Sequence, residues 1–157
     1  MKLSAQEEYG LRCLLRLAGH EVVTGAGMTI SEISQSEGLS VPQVAKLMRI
    51  LRIGNLVESV RGHAGGYRLS RPVTQITMNQ VIAALGGRLY DSSFCEEHTE
   101  EGKLCTHHIG CSIRPLWHRV QSVVDRELSR ITLGDLLGDP DATPGGAAGE
   151  LLQIASV

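Results

Sequence analysis

TISEISQSEGLSVPQVAKLMRILRIG, residues 29–54, holds two short helical patterns separated by almost nothing. Thr29 with Glu32 has the form of a capping box, in which the hydroxyl bonds the third amide and the acidic side chain returns the bond. Ile30 and Ile33 then fall on one side of a helix that Gly38 can end in the left-handed conformation. Only Gly38 and Leu39 precede Ser40, which with Gln43 repeats the box and opens a second helix over Val41–Ile53. Two short helices joined by a glycine-containing turn are a helix-turn-helix. In the second helix Val44, Leu47, Met48 and Leu51 share one face. Lys46 and Arg49 point nearly opposite, with Gln43 beside them. An amphipathic helix with a cationic outer face, in second place of a helix-turn-helix, suits a DNA major groove. An ordinary solvated helix has the same pattern, and the residues that follow decide between the two.

Those residues are Leu56–Val60, a glycine-rich tip Arg61-Gly-His-Ala-Gly-Gly66, and Tyr67–Arg71, closed by Pro72. Apolar residues flanking such a tip predict a β-hairpin, and a hairpin after a recognition helix is a wing. Arg61 and His63 lie at its tip, where an arginine suits a narrow minor groove. Outward from this core, Ser4 with Glu7 opens a first helix expected over Ala5–Ala18, ending around Gly19. Thr77 with Gln80 opens another over Met78–Leu85. A further helix is expected from Ser112 to about Ile131, with Pro115 tolerated in its first turn. Its residues Ile113, Trp117, Val120, Val124, Leu128 and Ile131 form one apolar stripe. The small head has little surface to cover that stripe, so a second copy of the helix is expected to cover it in a homodimer. A two-fold dimer suits a palindromic operator in double-stranded DNA. The fold class is therefore mainly α with a small β-hairpin: a winged helix-turn-helix plus a long C-terminal dimerisation helix.

Composition agrees. The net charge of -2 hides an asymmetry: residues 1–72 carry nine Lys and Arg against six Asp and Glu, and residues 73–157 carry six against eleven. The positive excess lies in 40–72, where Lys46, Arg49, Arg52, Arg61, Arg68 and Arg71 face Glu58 alone. A local basic patch in an acidic chain points to a polyanion. No apolar run approaches a membrane span, and MKLSAQEEYG lacks the apolar core of a signal peptide, so a cytoplasmic protein is expected. No Ser-His-Asp spacing or phosphate loop appears, and an enzyme is not expected.

The remaining feature is FCEEHTEEGKLCTHHIGC, residues 94–111, with cysteines spaced C-x9-C-x5-C at Cys95, Cys105 and Cys111. In a reducing compartment such clusters are more often ligands or redox centres than structural disulfides. Soft thiolates suit an iron–sulfur cluster. A zinc site completed by histidine is the second reading, though zinc sites usually bring closely paired cysteines. A metal-free thiol redox sensor is the third, and coincidence the fourth. Cys13 falls on the apolar side of the first helix and reads as a buried free thiol.

The order helix-turn-helix, wing with Arg61–Tyr67, short helix, three-cysteine loop and long helix resembles the Rrf2 family of bacterial winged-helix transcriptional regulators. The resemblance covers about residues 1–137. Its specific parts are the opening MKLS, Leu56–Tyr67, the three cysteines, and Thr132-Leu-Gly-Asp-Leu136. It implies a homodimeric DNA-binding regulator that senses redox, nitric-oxide or iron–sulfur status through a cluster, [2Fe-2S] or [4Fe-4S], held near the dimer interface by Cys95, Cys105 and Cys111. The first cysteine gap is longer than is usual in the family. Arg114 stands where its iron–sulfur-assembly branch carries a histidine ligand. Its nitric-oxide-sensitive branch takes a carboxylate from the partner's first helix, and Glu8 matches that position. His107 and His108 compete with Glu8 for the fourth place. Ser40, Gln43, Lys46, Arg49, Arg52, Arg61 and His63 are the expected DNA contacts. The expected organisation is a DNA-binding domain over 1–87, a cluster loop over 88–111, a dimerisation helix over 112–137 and a flexible tail over 138–157.

Overall fold

A computed structural model describes residues 4–61, 65–90 and 111–138. The element order is α1 (Ala5–Thr24), α2 (Ile30–Glu37), α3 (Val41–Ile53), β1 (Val57–Val60), β2 (Gly66–Leu69), a 3-10 turn (Val73–Gln75), α4 (Met78–Leu85), α5 (Ile113–Leu128) and α6 (Leu133–Leu137). The strands pair antiparallel, with Val57 opposite Leu69 and Val60 opposite Gly66. This is the expected winged helix-turn-helix followed by a long helix. α1 runs through its middle: Cys13, Leu14, Leu17 and Ala18 are fully buried, in one core cluster with Ile33, Val44, Leu47, Met48, Leu51, Leu56, Val81 and Leu85. Glu37 of α2 locks this layer, accepting from Nε of Arg12 at 3.0 Å and of Arg16 at 2.8 Å.

The capping boxes of Ser4 with Glu7 and Thr29 with Glu32 both close, and Oε1 of Gln80 accepts the Thr77 N–H at 3.2 Å. That expected at Ser40 does not: its side chain makes no capping bond. Pro42 removes one of the amides a cap serves, and Gln43 turns instead into a cleft with Ala5, Gln6, Lys46 and Leu47. The turn between α2 and α3 rests on Gly38, at φ 66°, where a side chain would be strained.

Two boundaries differ from the sequence expectation. α1 continues through Gly19 to Thr24. A mid-helix glycine costs only about 1 kcal/mol, and the added turns are anchored: Oε2 of Glu21 accepts the Leu69 N–H at 2.8 Å. α5 stops at Leu128 rather than near Ile131. The chain leaves the helix so that Ile131 O accepts from Met78 N at 2.8 Å and Leu133 N donates to Ile76 O at 2.8 Å. Thr132 and Asp135 then close a further capping box at the start of α6.

One tertiary contact went unread in the sequence. Met28 N–H donates to Tyr67 O at 2.9 Å and Tyr67 N–H to Met28 O at 2.8 Å, which tacks the α1–α2 connection onto the wing. The approach is close enough that a Cβ on Gly66 would lie 2.4 Å from Met28 O, and one on Gly27 2.3 Å from Tyr67 O. Both obstacles are backbone and cannot rotate away. Gly66→Ala is therefore expected to break this bridge and destabilise the protein by roughly 1–3 kcal/mol. Gly138→Ala, which meets nothing nearer than 3.6 Å, should leave the thermal midpoint unchanged. Thermal melts of the two variants check this.

Candidate functional site

α3 buries Val44, Leu47, Met48 and Leu51, and that burial fixes what it presents outward. Lys46, Arg49 and Arg52 are exposed, Gln43 is half-buried, and Ser40 is exposed at the N-terminal end with an unused hydroxyl. Arg61 is exposed just past β1. His63 lies outside the described residues.

The basic patch read from the sequence divides in two. Arg68 pairs with Glu58 across the strands. Arg71 is engaged in structure: Nη1 donates to Asn55 O at 2.7 Å, Nη2 to Gln80 Oε1 at 2.8 Å and Nε to Gln75 O at 3.2 Å, tying the base of the wing to α4. Lys46, Arg49, Arg52 and Arg61 make no ion pair among the described residues. Free cations on one helix and one strand end, beside an uncapped hydroxyl, can neutralise a run of phosphates.

Of the sulfur ligands, Cys111 is described; Cys95, Cys105, His107 and His108 lie outside the described residues. Cys111 is half-buried, immediately before α5. Backbone N–H groups of Arg114 and Ile113 bond its sulfur and hold its thiol below the ordinary range. A thiolate stabilised this way is a competent metal ligand and a reactive nucleophile. Cys13 is the opposite case: burial, helped by the charge of Glu37, pushes its thiol from 9.0 up to about 11. Glu8 is exposed on α1 with no side-chain partner among the described residues, whereas its neighbour Glu7 is buried and accepts the Ser4 N–H at 2.7 Å.

α5 carries the expected stripe, and little covers it. Of its residues Ile113 and Trp117 are 63% and 44% exposed, Val120 and Val124 are half-buried, and Leu128 and, beyond the helix end, Ile131 pack on the head; Leu116 and Val123, beside the stripe, are 57% and 47% exposed. The residue of α5 that is buried is Gln121, at 7%. Its Oε1 accepts the N–H groups of Leu89 and Tyr90 at 2.8 and 3.1 Å, and its Nε2 donates to Asp125 Oδ1 at 2.7 Å. Asp125 Oδ2 in turn accepts from Arg88 Nη2 at 2.8 Å, and the Tyr90 ring meets His118 edge-on at 4.8 Å. Nothing in the sequence marked Gln121: it borders the stripe as any polar flank residue would.

A winged helix with an unpaired cationic recognition face defines a DNA-binding protein. The Rrf2 family model, described as an iron-dependent transcriptional regulator, matches residues 3–139, and the chain belongs to that family. It is 32% identical to Protein rrf2 of Nitratidesulfovibrio vulgaris over 144 residues, 92% of each chain. It is 32% identical to the HTH-type transcriptional regulator IscR of Photobacterium profundum over 139 residues, 88% of this chain and 77% of that one. Among solved structures it resembles T. potens IscR, with a TM-score of 0.66, 26% identity and coverage of 95% and 96%. It also resembles the oxidized form of Staphylococcus aureus CymR, with a TM-score of 0.62, 27% identity and coverage of 90% and 100%. The family's members are transcriptional regulators and not enzymes, and DNA is their partner. No helix among the described residues is long and apolar enough to cross a membrane.

The two described thiols should separate by chemistry. In the native, metal-free protein at neutral pH, alkylation followed by peptide mass mapping is expected to label Cys111 quickly and Cys13 only after unfolding. The raised thiol of Cys13 also carries a pH dependence. Its contribution to native stability is full below pH 9.0, where the unfolded thiol is protonated too, and is lost as pH climbs to about 11. Denaturant midpoints of wild type and Cys13→Ala across that window measure it.

Proposed function

We propose that this regulator is a homodimer that reads a palindromic operator and senses redox, nitric-oxide or iron–sulfur status through an iron–sulfur cluster. The thiolates of Cys95, Cys105 and Cys111 are its protein ligands, with the partner's copy of Glu8 as the fourth and His107 or His108 as competitors. The observation that carries the reading is the position of Cys111, half-buried at the head of α5 beside the exposed side chains of Ile113, Leu116 and Trp117, with the backbone N–H groups of Arg114 and Ile113 lowering its thiol. The donor set fits: soft thiolate from Cys111, and at Glu8 a harder, weaker ligand, unengaged and so available. When bound, the cluster supplies a centre whose state changes with oxidants, nitric oxide or iron supply.

The protein's own residues do the rest. Pairing of two α5 faces buries Ile113 and Trp117 of the stripe with Leu116 and Val123 beside it, each contributing on the order of 1 kcal/mol because each is already about half covered. That pairing sets the distance between the two copies of α3. Gln43 and Lys46 would read base edges, and Ser40, Arg49, Arg52, Arg61 and His63 would contact phosphates or the minor groove. Cys95, Cys105 and Cys111 would hold the group and so tie their segment to the start of α5; its loss would change how that helix is held and with it the spacing a palindrome tests. A DNA partner fits a cytoplasmic location. A second reading, a metal-free thiol switch, is favoured by the same lowered Cys111 and by the likeness to a CymR solved in an oxidized form.

Protein purified without oxygen is expected to be coloured, with iron and sulfide in equal amounts, and Cys95→Ala to be colourless and deregulated. Colourless wild type that forms a Cys105–Cys111 disulfide under mild oxidant would establish the second reading instead. For the DNA face, Arg49→Ala and Arg52→Ala should each weaken operator binding. If each contacts one phosphate, each should also reduce the slope of log affinity against log salt by about 1. Fluorescence anisotropy across a salt series measures both.

A further inference from the structure

Among the described residues, α5 is held to the head chiefly at its C-terminal end and its middle, with an edge-on contact of His118 on Tyr90 one further turn toward Cys111. Its C-terminal end is welded by the paired backbone bonds of Ile131 with Met78 and Leu133 with Ile76, with Leu133 fully buried. Its middle is held by Gln121, the one buried residue of the helix. From Gln121 to Cys111 is ten residues, roughly 15 Å at the rise of an α-helix, and the side chains over that length are half-buried or exposed. The helix is therefore a lever with a fulcrum at Ile131–Leu133, a catch at Gln121 and an N-terminal end that Cys111 leads into.

What the catch grips matters most. Gln121 accepts from the backbone of Leu89 and Tyr90, which lead straight into the cysteine-bearing segment. Asp125 orients the amide and holds Arg88. On the other side, this stem is fixed to α1: Nε2 of Gln6 donates to Leu85 O at 2.7 Å, and Gly87 lies against Glu7 so closely that a Cβ there would meet Oε1 at 2.6 Å. Residues 85–90 thus link the first turns of α1, which carry Glu8, to the helix that carries Cys111. A buried amide making three bonds is costly to leave unsatisfied, which disfavours a partly broken catch relative to a closed or fully solvated one.

We propose that Gln121 is the positioning residue that transmits the state of the cysteine segment to the DNA-reading head, with Asp125 and Arg88 setting its geometry. This rests on the proposed cluster function and adds the route by which it reaches DNA. With the catch closed, α5 and the head move as one body, and whatever reorients the Cys111 end also reorients α3. With the catch open, the lever keeps its Leu128–Leu133 anchorage and only the edge-on Tyr90–His118 contact beyond it, and the two ends decouple.

The test compares full-length wild type, Gln121→Met, and the double variant Gln121→Glu with Asp125→Asn. The first substitution keeps the side chain's length and removes all three bonds. The double variant keeps the acceptor for Leu89 and Tyr90 and reverses the polarity of the bond to residue 125. Each protein is purified anaerobically, its iron and visible spectrum recorded, and its affinity for an operator selected from random-sequence DNA measured before and after anaerobic metal removal. Wild type is expected to change affinity by roughly 5- to 150-fold between the two states. Gln121→Met should keep its iron and its spectrum yet show a ratio within about twofold of one, and the double variant should recover most of the wild-type ratio. Iron-loaded Gln121→Met that switches as wild type does would overturn the catch while leaving the cluster reading intact. Colourless, iron-free wild type would overturn the cluster reading and this proposal with it. A Gln121→Met protein that fails to fold leaves the double variant decisive, since failure of that variant to switch while retaining iron also contradicts the proposal.

Discussion

The burial of Val44, Leu47, Met48 and Leu51 against Cys13, Leu14, Leu17 and Leu85 is the constraint on which the structure depends. It fixes the rotation of α3 about its own axis. Once that face is inward, Lys46 and Arg49 have one direction to point, away from the core and into solvent. The same core sets the wing. Leu56, just before β1, and Val57, its first residue, are buried, so the hairpin leaves the core at a fixed place, and the Met28–Tyr67 bridge limits its swing. Recognition helix and wing are two edges of one packed layer rather than two independent contacts.

Much of this was legible before any coordinates. Gly38, the boxes at Ser4 and Thr29 and the alternation of the hairpin are local signals, and local signals survive folding because nothing distant competes with them. What was illegible came from contacts between segments far apart in sequence. α1 passes through Gly19 because Glu21 has a partner 48 residues away in Leu69. α5 stops early because Ile131 and Leu133 have partners beside α4. Arg71 looked like one more cation for DNA, yet its guanidinium is taken up by carbonyls and an amide at the base of the wing. Charge in a sequence counts ions; only the fold says which of them are already answered.

The candidate centre was read with equal unevenness. Three cysteines in a short span are a chemical signal that needs no fold, and the lowered thiol of Cys111 agrees with it. Gln121 was invisible because its importance lies in burial, and a glutamine beside an apolar stripe is ordinary until two backbone amides point at it. The asymmetry is physical. Ligand chemistry resides in side-chain identity, whereas coupling resides in geometry. A regulator needs both, and here they meet on one helix: Cys111 at its head, Gln121 at its middle, and the weld to the head domain at its foot.

The central claim is that the state of the cysteine segment sets the separation of two recognition helices in a dimer. The most direct measurement is a pulsed electron-resonance distance between spin labels attached, through a non-cysteine chemistry, at Ile53, which is 67% exposed at the end of α3. It is recorded on the anaerobic protein before and after removal of its metal. The account predicts one well-defined inter-subunit distance in the loaded protein and a shifted or broadened distribution after removal. No inter-subunit distance at all, or the same distribution in both states, would contradict it.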